Sequence, residues 1–341
     1  MEAVMSMNKV KIILFAAAVT LVAFSCKKSP APAPASKDIW TTYPTNGAFI
    51  WSIAIDPQGD KWFASEGSGL LKFDGTNWTT YTTSNSGLAD NYPSVVTIDA
   101  RGNKWIGSNG SGVSKFDGTN WSIYDTSNSG LVSNYVYAIT IDAQGNIWFG
   151  TLYGVSKFDG TNWTTYTTAN SGLGDSTIAP IATVYAIAID AQGNKWFGTQ
   201  ESGVSKFDGI SWTTYDAANS GILNYSIFSI VFDPQGNKWF GGGGVSEFNG
   251  TNWTDYDTAN SGLVINGVRA IAIDAQDNKW FATSYGVSKF DGTHWTSYTT
   301  ANSGLFNKDT GQFNNDVLAV AIDAQGNKWF GGVGLSELQE Q

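Results

Sequence analysis

Side chains able to do covalent or metal chemistry are scarce in this chain. There is one cysteine, Cys26, and one histidine, His294. Cys26 closes an apolar leader, and His294 stands in an Asp-Gly-Thr-His turn where the siblings at 74–77, 117–120 and 159–162 read Asp-Gly-Thr-Asn. Neither belongs to a nucleophile–base pair or a histidine-rich metal cluster. Carboxylates are the remaining candidates for catalysis. Glu66, Glu201, Asp175, Asp309 and Asp316 fall in segments that differ between repeats, and two such groups at the right separation could act on a glycosidic bond. Aromatic side chains offer a different chemistry. Trp51, Tyr137, Tyr185 and Phe228, with Arg269, occupy one equivalent position in five of the seven repeats, the other two having Ser94 and Leu318. They could stack on sugar rings and fix a polar or acidic group, with Glu66, Tyr153, Glu201 and Tyr285 adding hydrogen bonds. The competing reading is packing, in which the same aromatics wedge neighbouring segments together.

Those residues are carried by a phrase that comes round seven times. It reads SIAIDPQGDKWFAS around Asp56, and its counterparts follow at Asp99, Asp142, Asp190, Asp233, Asp274 and Asp323. The steps are 43, 43, 48, 43, 41 and 49 residues. A period in the forties with several short strands per unit predicts a β-propeller. Residues 94–130 show one unit: SVVTID, KWIGS, GVSKF and WSIYDT are strands, joined by an Ala-Arg-Gly-Asn turn and an Asp-Gly-Thr-Asn hairpin turn. Trp105-Ile106 and Trp148-Phe149 put apolar groups on both faces of the second strand. Such a strand needs cover on both sides, which stacked blades provide.

The ends predict how the ring closes. The last repeat stops at GLSELQEQ without a Trp-Thr-Thr-Tyr strand, and that strand appears at the front as residues 40–43. The N-terminal strand should therefore pair with residues 334–339 and complete blade seven, removing two open sheet edges. The fold predicted is all-β: a seven-bladed propeller of four-stranded antiparallel blades closed by its first strand. Two tryptophans per blade account for fourteen of the fifteen in the chain, leaving Trp51 outside the pattern.

Alternating strand direction sorts the rest into two ends. The turns beginning at each repeat Asp and the Asp-Gly-Thr-Asn turns fall on one end and are nearly identical. With one Asp and one Asn apiece, the first set lacks the six to eight oxygens of a calcium loop, so they read as structural turns. Asn77, Asn120, Asn162 and Asn252 mimic glycosylation acceptors but read as turn-to-strand junctions. At the other end lie the variable features: two long connections (GLGDSTIAPIATV and GLFNKDTGQFNNDV), the loops between second and third strands, and the position five residues before each repeat Asp. Variation gathered at one rim predicts a binding face.

Lys9 and Lys11, an apolar run from Ile12 to Phe24, and Ser25-Cys26 form a secretory leader of the lipoprotein type, with Cys26 as the lipidation site. Residues 1–26 are thus expected to be signal peptide, the Pro/Ala-rich residues 27–37 a tether, and residues 38–341 the propeller. The formal charge of −10 disfavours nucleic acid as a partner.

The pattern Asp-x-x-Gly-Asn-x-Trp-Phe-Gly-Thr followed by Gly-Val-Ser-Lys-Phe resembles the two-component regulator propeller repeat, over about residues 38–341. That family's propellers often form the sensor parts of hybrid histidine kinases, where they meet oligosaccharide-type ligands. This sequence ends with its seventh repeat and shows no kinase, membrane span or output domain, so the resemblance implies binding rather than signalling. The repeat also resembles that of streptogramin lyases, but His294 falls at the uniform end, which disfavours lyase chemistry. The reading is a lipid-anchored protein of the bacterial cell envelope, with an outer-membrane destination, whose rim binds a glycan. The alternatives are a protein–protein scaffold and a carboxylate-based hydrolase or lyase. No cofactor, metal or catalytic residue is assigned.

Overall fold

The computed structural model describes residues 38–45, 48–175, 181–223, 225–306 and 315–340. The leader, Cys26 and the tether lie outside the described residues, as do Asp309 and parts of both long connections. Strand β1 (Ile39–Tyr43) opens the described chain. Blade one follows as β2 (Ile50–Ile55), β3 (Lys61–Ser65), β4 (Gly69–Phe73) and β5 (Trp78–Tyr81). Blade two holds β6 (Pro93–Ile98), β7 (Lys104–Ser108), β8 (Val113–Phe116) and β9 (Trp121–Tyr124). Blade three holds β10 (Val136–Ile141), β11 (Ile147–Thr151), β12 (Gly154–Phe158) and β13 (Trp163–Tyr166). Blade four holds β14 (Val184–Ile189), β15 (Lys195–Thr199), β16 (Val204–Phe207) and β17 (Trp212–Tyr215). Blade five holds β18 (Ser229–Phe232), β19 (Lys238–Gly241), β20 (Val245–Phe248) and β21 (Trp253–Tyr256). Blade six holds β22 (Val268–Ile273), β23 (Lys279–Thr283), β24 (Gly286–Phe290) and β25 (Trp295–Tyr298). Blade seven takes β26 (Val317–Ile322), β27 (Lys328–Gly332) and β28 (Leu335–Gln339).

Each blade is a four-stranded antiparallel sheet, and the seventh has the order β1-β28-β27-β26. Trp40 lies opposite Leu338 and Tyr43 opposite Leu335, which is the closure read from the sequence. Tyr43 stacks on Trp329 at 5.2 Å, and its hydroxyl donates to the Glu337 carboxylate at 2.7 Å. Glu337 is buried, and burial together with that hydrogen bond raises the pKa of the Tyr43 phenol.

The second strands form the spine of the molecule. Trp62, Phe63, Trp148, Phe149, Trp196, Phe197 and their equivalents are almost wholly buried, as a strand covered on both faces requires. The repeat Asp explains why a tryptophan is tolerated there. Asp142 Oδ1 accepts the Gln144 and Asn146 amides at 3.1 and 2.8 Å, while Oδ2 accepts Trp148 Nε1 at 3.0 Å. One carboxylate thus shapes the turn and satisfies the buried indole. A lysine from the next blade caps several of these pairs: Lys104 lies 3.6 Å from Asp56 and 4.6 Å above the Trp62 ring.

Two further devices join the blades. The Gly of each Ser-Gly-Leu segment packs on a fourth-strand tryptophan of the next blade; a Cβ at Gly130 would sit 2.2 Å from Trp163 Cβ. The buried serine of the third strand accepts an amide from the incoming connection, as Ser156 Oγ does from Val132 at 2.9 Å. Blade one has Leu71 at this position.

Candidate functional site at the variable rim

Strand register places the variable features together. In blade one, Ile50 pairs with Ser65 and Ser65 with Gly69 at one end, while Ile55 pairs with Lys61 and Phe73 with Trp78 at the other. The innermost strand therefore starts at the variable rim and finishes at the uniform turns. A β-bulge falls on that start: the register shifts between Ile50 and Ser52, and likewise across Ser94, Tyr137, Tyr185, Arg269 and Leu318. The extra residue is unpaired, and bulges of this kind re-aim a side chain. The flanking residues Ile50, Val136, Val184, Val268 and Val317 are fully buried, so the bulge separates a packing position from an adjacent rim position.

The rim positions form an arc through blades three to six. Tyr137 and Tyr185 lie 5.2 Å apart by ring centroids, and Tyr185 and Phe228 lie 5.3 Å apart. The Arg269 guanidinium sits 4.8 Å above the Phe228 ring. The three aromatics touch across blade boundaries yet stay half-exposed. They link blades and also present a surface. Burial raises the phenol pKa of Tyr137, with the neighbouring Tyr185, Tyr135 and Tyr153 adding to it. Burial raises that of Tyr185 as well, against the field of Arg269. The Tyr185 hydroxyl reaches Gln200 Oε1 at 3.2 Å.

Trp51 and Glu66, from different segments of blade one, meet: Trp51 Nε1 donates to Glu66 Oε2 at 3.0 Å. They line a cavity of ≈ 120 Å³ with Tyr92, Pro93, Ser94, Asn109 and Tyr137. This cavity opens beside the first aromatic of the arc. Beyond the far end of the arc, burial pushes the Asp316 carboxyl up while Arg269 pulls it down. Asp316 Oδ1 is buried and has no hydrogen-bond partner among the described residues. Tyr153 and Tyr285 are exposed on the loops of blades three and six. Glu201 is exposed on the blade-four loop, and no hydrogen bond or ion pair ties it to the arc among the described residues.

Sequence reasoning missed an outer set of tyrosines. Tyr92, Tyr135 and Tyr225 are each 43–56% exposed on the connections entering blades two, three and five. Their signal was the recurring Asn-Tyr pair at 91–92, 134–135 and 224–225. Asn91 and Asn134 accept the Thr83 and Thr126 amides at 2.9 Å each, fixing the connection that carries the tyrosine.

A wider opening of ≈ 430 Å³ lies at the uniform end, lined by Asp56, Asp99 and Asp323 among others. Its size does not make it the better site. Each of those carboxylates already accepts two backbone amides and an indole N–H. His294, also at that end, is exposed and lies 3.6 Å from Asp291.

A family model described as "two component regulator propeller" matches residues 130–153. That segment runs from the blade-three connection through the bulge at Tyr137 and the repeat Asp142 to the loop at Tyr153. The match covers that one repeat of blade three. Among solved structures, the chain is similar to the extracellular domain of a hybrid two-component system from B. thetaiotaomicron, at 22% identity and a TM-score of 0.73, over 87% of this chain and 40% of that one. It is also similar to a virginiamycin B lyase from Staphylococcus aureus at 14% identity and a TM-score of 0.69, over 89% and 99%. A histidine-to-alanine variant of that lyase is catalytically inactive. A third likeness is PorZ, a surface component of the type-IX secretion system of Porphyromonas gingivalis, at 17% identity and a TM-score of 0.69, over 88% and 47%. The chain thus spans less than half the length of the first and third. These identities carry the fold alone. No curated protein matches the chain.

Proposed function

We propose that the chain is a cell-envelope binding protein whose variable rim takes up a glycan, with the propeller held to the membrane through lipid on Cys26. One observation carries the binding reading: the half-exposed arc Tyr137–Tyr185–Phe228, contiguous with the Trp51–Glu66 cavity, on the end where the repeats differ. Aromatic faces stack on the apolar faces of sugar rings, and the Glu66 carboxylate and the Asn109 amide supply an acceptor and a donor for hydroxyls. The extracellular and surface settings of the similar structures support the compartment, as does the leader ending in Cys26. The site of the single histidine, away from the rim, weighs against a lyase of the kind just described.

The test is binding of purified residues 38–341 to a glycan array, repeated with Trp51→Ala and Tyr185→Ala. Binding that falls at least tenfold in both variants supports the site; unchanged binding removes it. Cys26→Ser should move the full-length protein from the membrane to the soluble envelope fraction, and continued membrane recovery would remove the lipid anchor. A protein partner is the second reading, favoured by the exposed Tyr92, Tyr135, Tyr153, Tyr225 and Tyr285, since tyrosine is enriched at protein interfaces.

A further inference from the structure

Charge on the propeller is divided between its two ends. Among the described residues, every lysine lies near the uniform turns, at the first position of a second strand or next to last in a third. Arg101 is in one of those turns. Arg269 is the remaining cation and the one at the rim; Lys308, in the blade-seven connection, lies outside the described residues. Arg269 makes no ion pair among the described residues, although Asp316 is close enough for its field to lower the carboxyl. Its guanidinium is exposed and laid on Phe228, an arrangement that leaves the planar N–H fork available.

An unpaired guanidinium continuing a sugar-stacking arc selects an anionic group on the ligand, and planar bidentate pairing favours a carboxylate. The surroundings limit how much negative charge that ligand can carry. Glu66, Asp90, Asp175, Glu201 and Asp316 share the rim, and the whole chain has a formal charge of −10. A densely charged polymer would meet repulsion along its length, whereas a single carboxylate seated on Arg269 meets that guanidinium and, among the acidic groups, chiefly Asp316, more distant charges being screened beyond about 8–10 Å. We propose that the rim selects a largely neutral oligosaccharide bearing one isolated uronic acid, with the uronate carboxylate on Arg269 and the neutral sugars running along Phe228, Tyr185 and Tyr137 toward the Trp51–Glu66 cavity. This rests on the glycan reading above and names the ligand class for that site.

The experiment compares matched probes by titration calorimetry on the full chain: xylotetraose, xylotetraose with one methylglucuronic acid branch, cellotetraose, cellotetraose ending in glucuronic acid, and an alginate oligomer charged at every ring. In one or both backbone pairs, the singly charged member should bind about tenfold tighter than its neutral partner and tighter than the alginate oligomer. Arg269→Ala should erase that difference and leave neutral binding in place, Arg269→Lys should keep part of it, and Lys308→Ala should not change it. Trp51→Ala should weaken both members equally. Equal affinity within each pair, or tightest binding by alginate, overturns the uronate assignment while the glycan reading stands. Loss of the preference in Lys308→Ala overturns the role of Arg269. No binding by any probe overturns both readings. Unchanged circular dichroism of the Arg269 variants separates these outcomes from misfolding.

Discussion

At the scale of single residues, the repeat aspartates hold the blades in shape. Asp142, buried beneath its turn, gathers two amides, the Asn146 side chain and the Trp148 indole. Asp142→Ala would leave a buried indole N–H and a turn amide without partners, at a cost of about 2–4 kcal/mol. Chemical denaturation should show this as a lower midpoint with an unchanged slope; an unaltered midpoint would contradict the role. The same carboxylates set the acid limit. Burial pushes Asp99, Asp142, Asp190 and Asp274 up, but the indole, amide and backbone hydrogen bonds together outweigh it and leave them below the usual carboxylate range. A carboxyl lowered on folding adds stability that is complete above its unfolded value and is lost as pH falls through the folded one. The melting temperature should therefore hold from pH 7 to about 5 and fall steeply below about 4. Glu247 works the other way. Burial raises it, so its ionised form is penalised at neutral pH and the penalty eases as pH falls toward its folded value.

At the scale of elements, the joints between blades are tight backbone-to-ring contacts, with little room for substitution. Gly130→Ala would drive a methyl to 2.2 Å from Trp163 Cβ. That atom is the root of a ring packed on Phe158 at 4.8 Å, so it cannot swing away. The expected loss is about 1–3 kcal/mol, measurable by thermal melting. Gly145→Ala is a contrasting case: its Cβ would meet nothing within 4 Å, but φ is +82°, so any loss comes from backbone strain alone. If Gly130→Ala were the milder of the two, the ring contact would not be the limiting feature. The bulge at the start of six of the seven innermost strands is the element that makes a rim. It separates Val136, which is fully buried, from Tyr137, which lines the cavity, and so lets the mouth vary while the packing stays constant.

At the scale of the whole molecule, β1 unites the two ends of the chain. It contributes the Trp40 ring that packs on Gly304 of the preceding connection, and Tyr43, which bonds Glu337. Deleting residues 38–44 would expose the edge of β28 and leave Glu337 buried without its phenol. A ring opened in this way should melt well below the intact protein and associate through the bare edge. An unchanged melting temperature and a monomeric profile in size-exclusion chromatography would count against closure as a source of stability.

The sequence alone determined the ring, because its evidence is periodic. Seven copies of one strand–turn–strand phrase, and a fourth strand moved to the front, specify blades, their number and their closure without any knowledge of long-range contacts. It also separated the uniform end from the variable one, since strand direction alternates whatever the packing. Which variable residues meet was decided only in three dimensions. Trp51 and Glu66 are fifteen residues apart and join through a hydrogen bond, and Arg269 lies on Phe228 of the blade before it. Tyr92 escaped notice because it lies in a connection, where period gives no guidance. Packing and binding at the inner aromatics were alternatives in the sequence, but in the folded ring the same faces do one and remain open to the other. Contacts across blade boundaries depend on ring curvature and on the bulge, and neither is written in the order of residues along a single repeat.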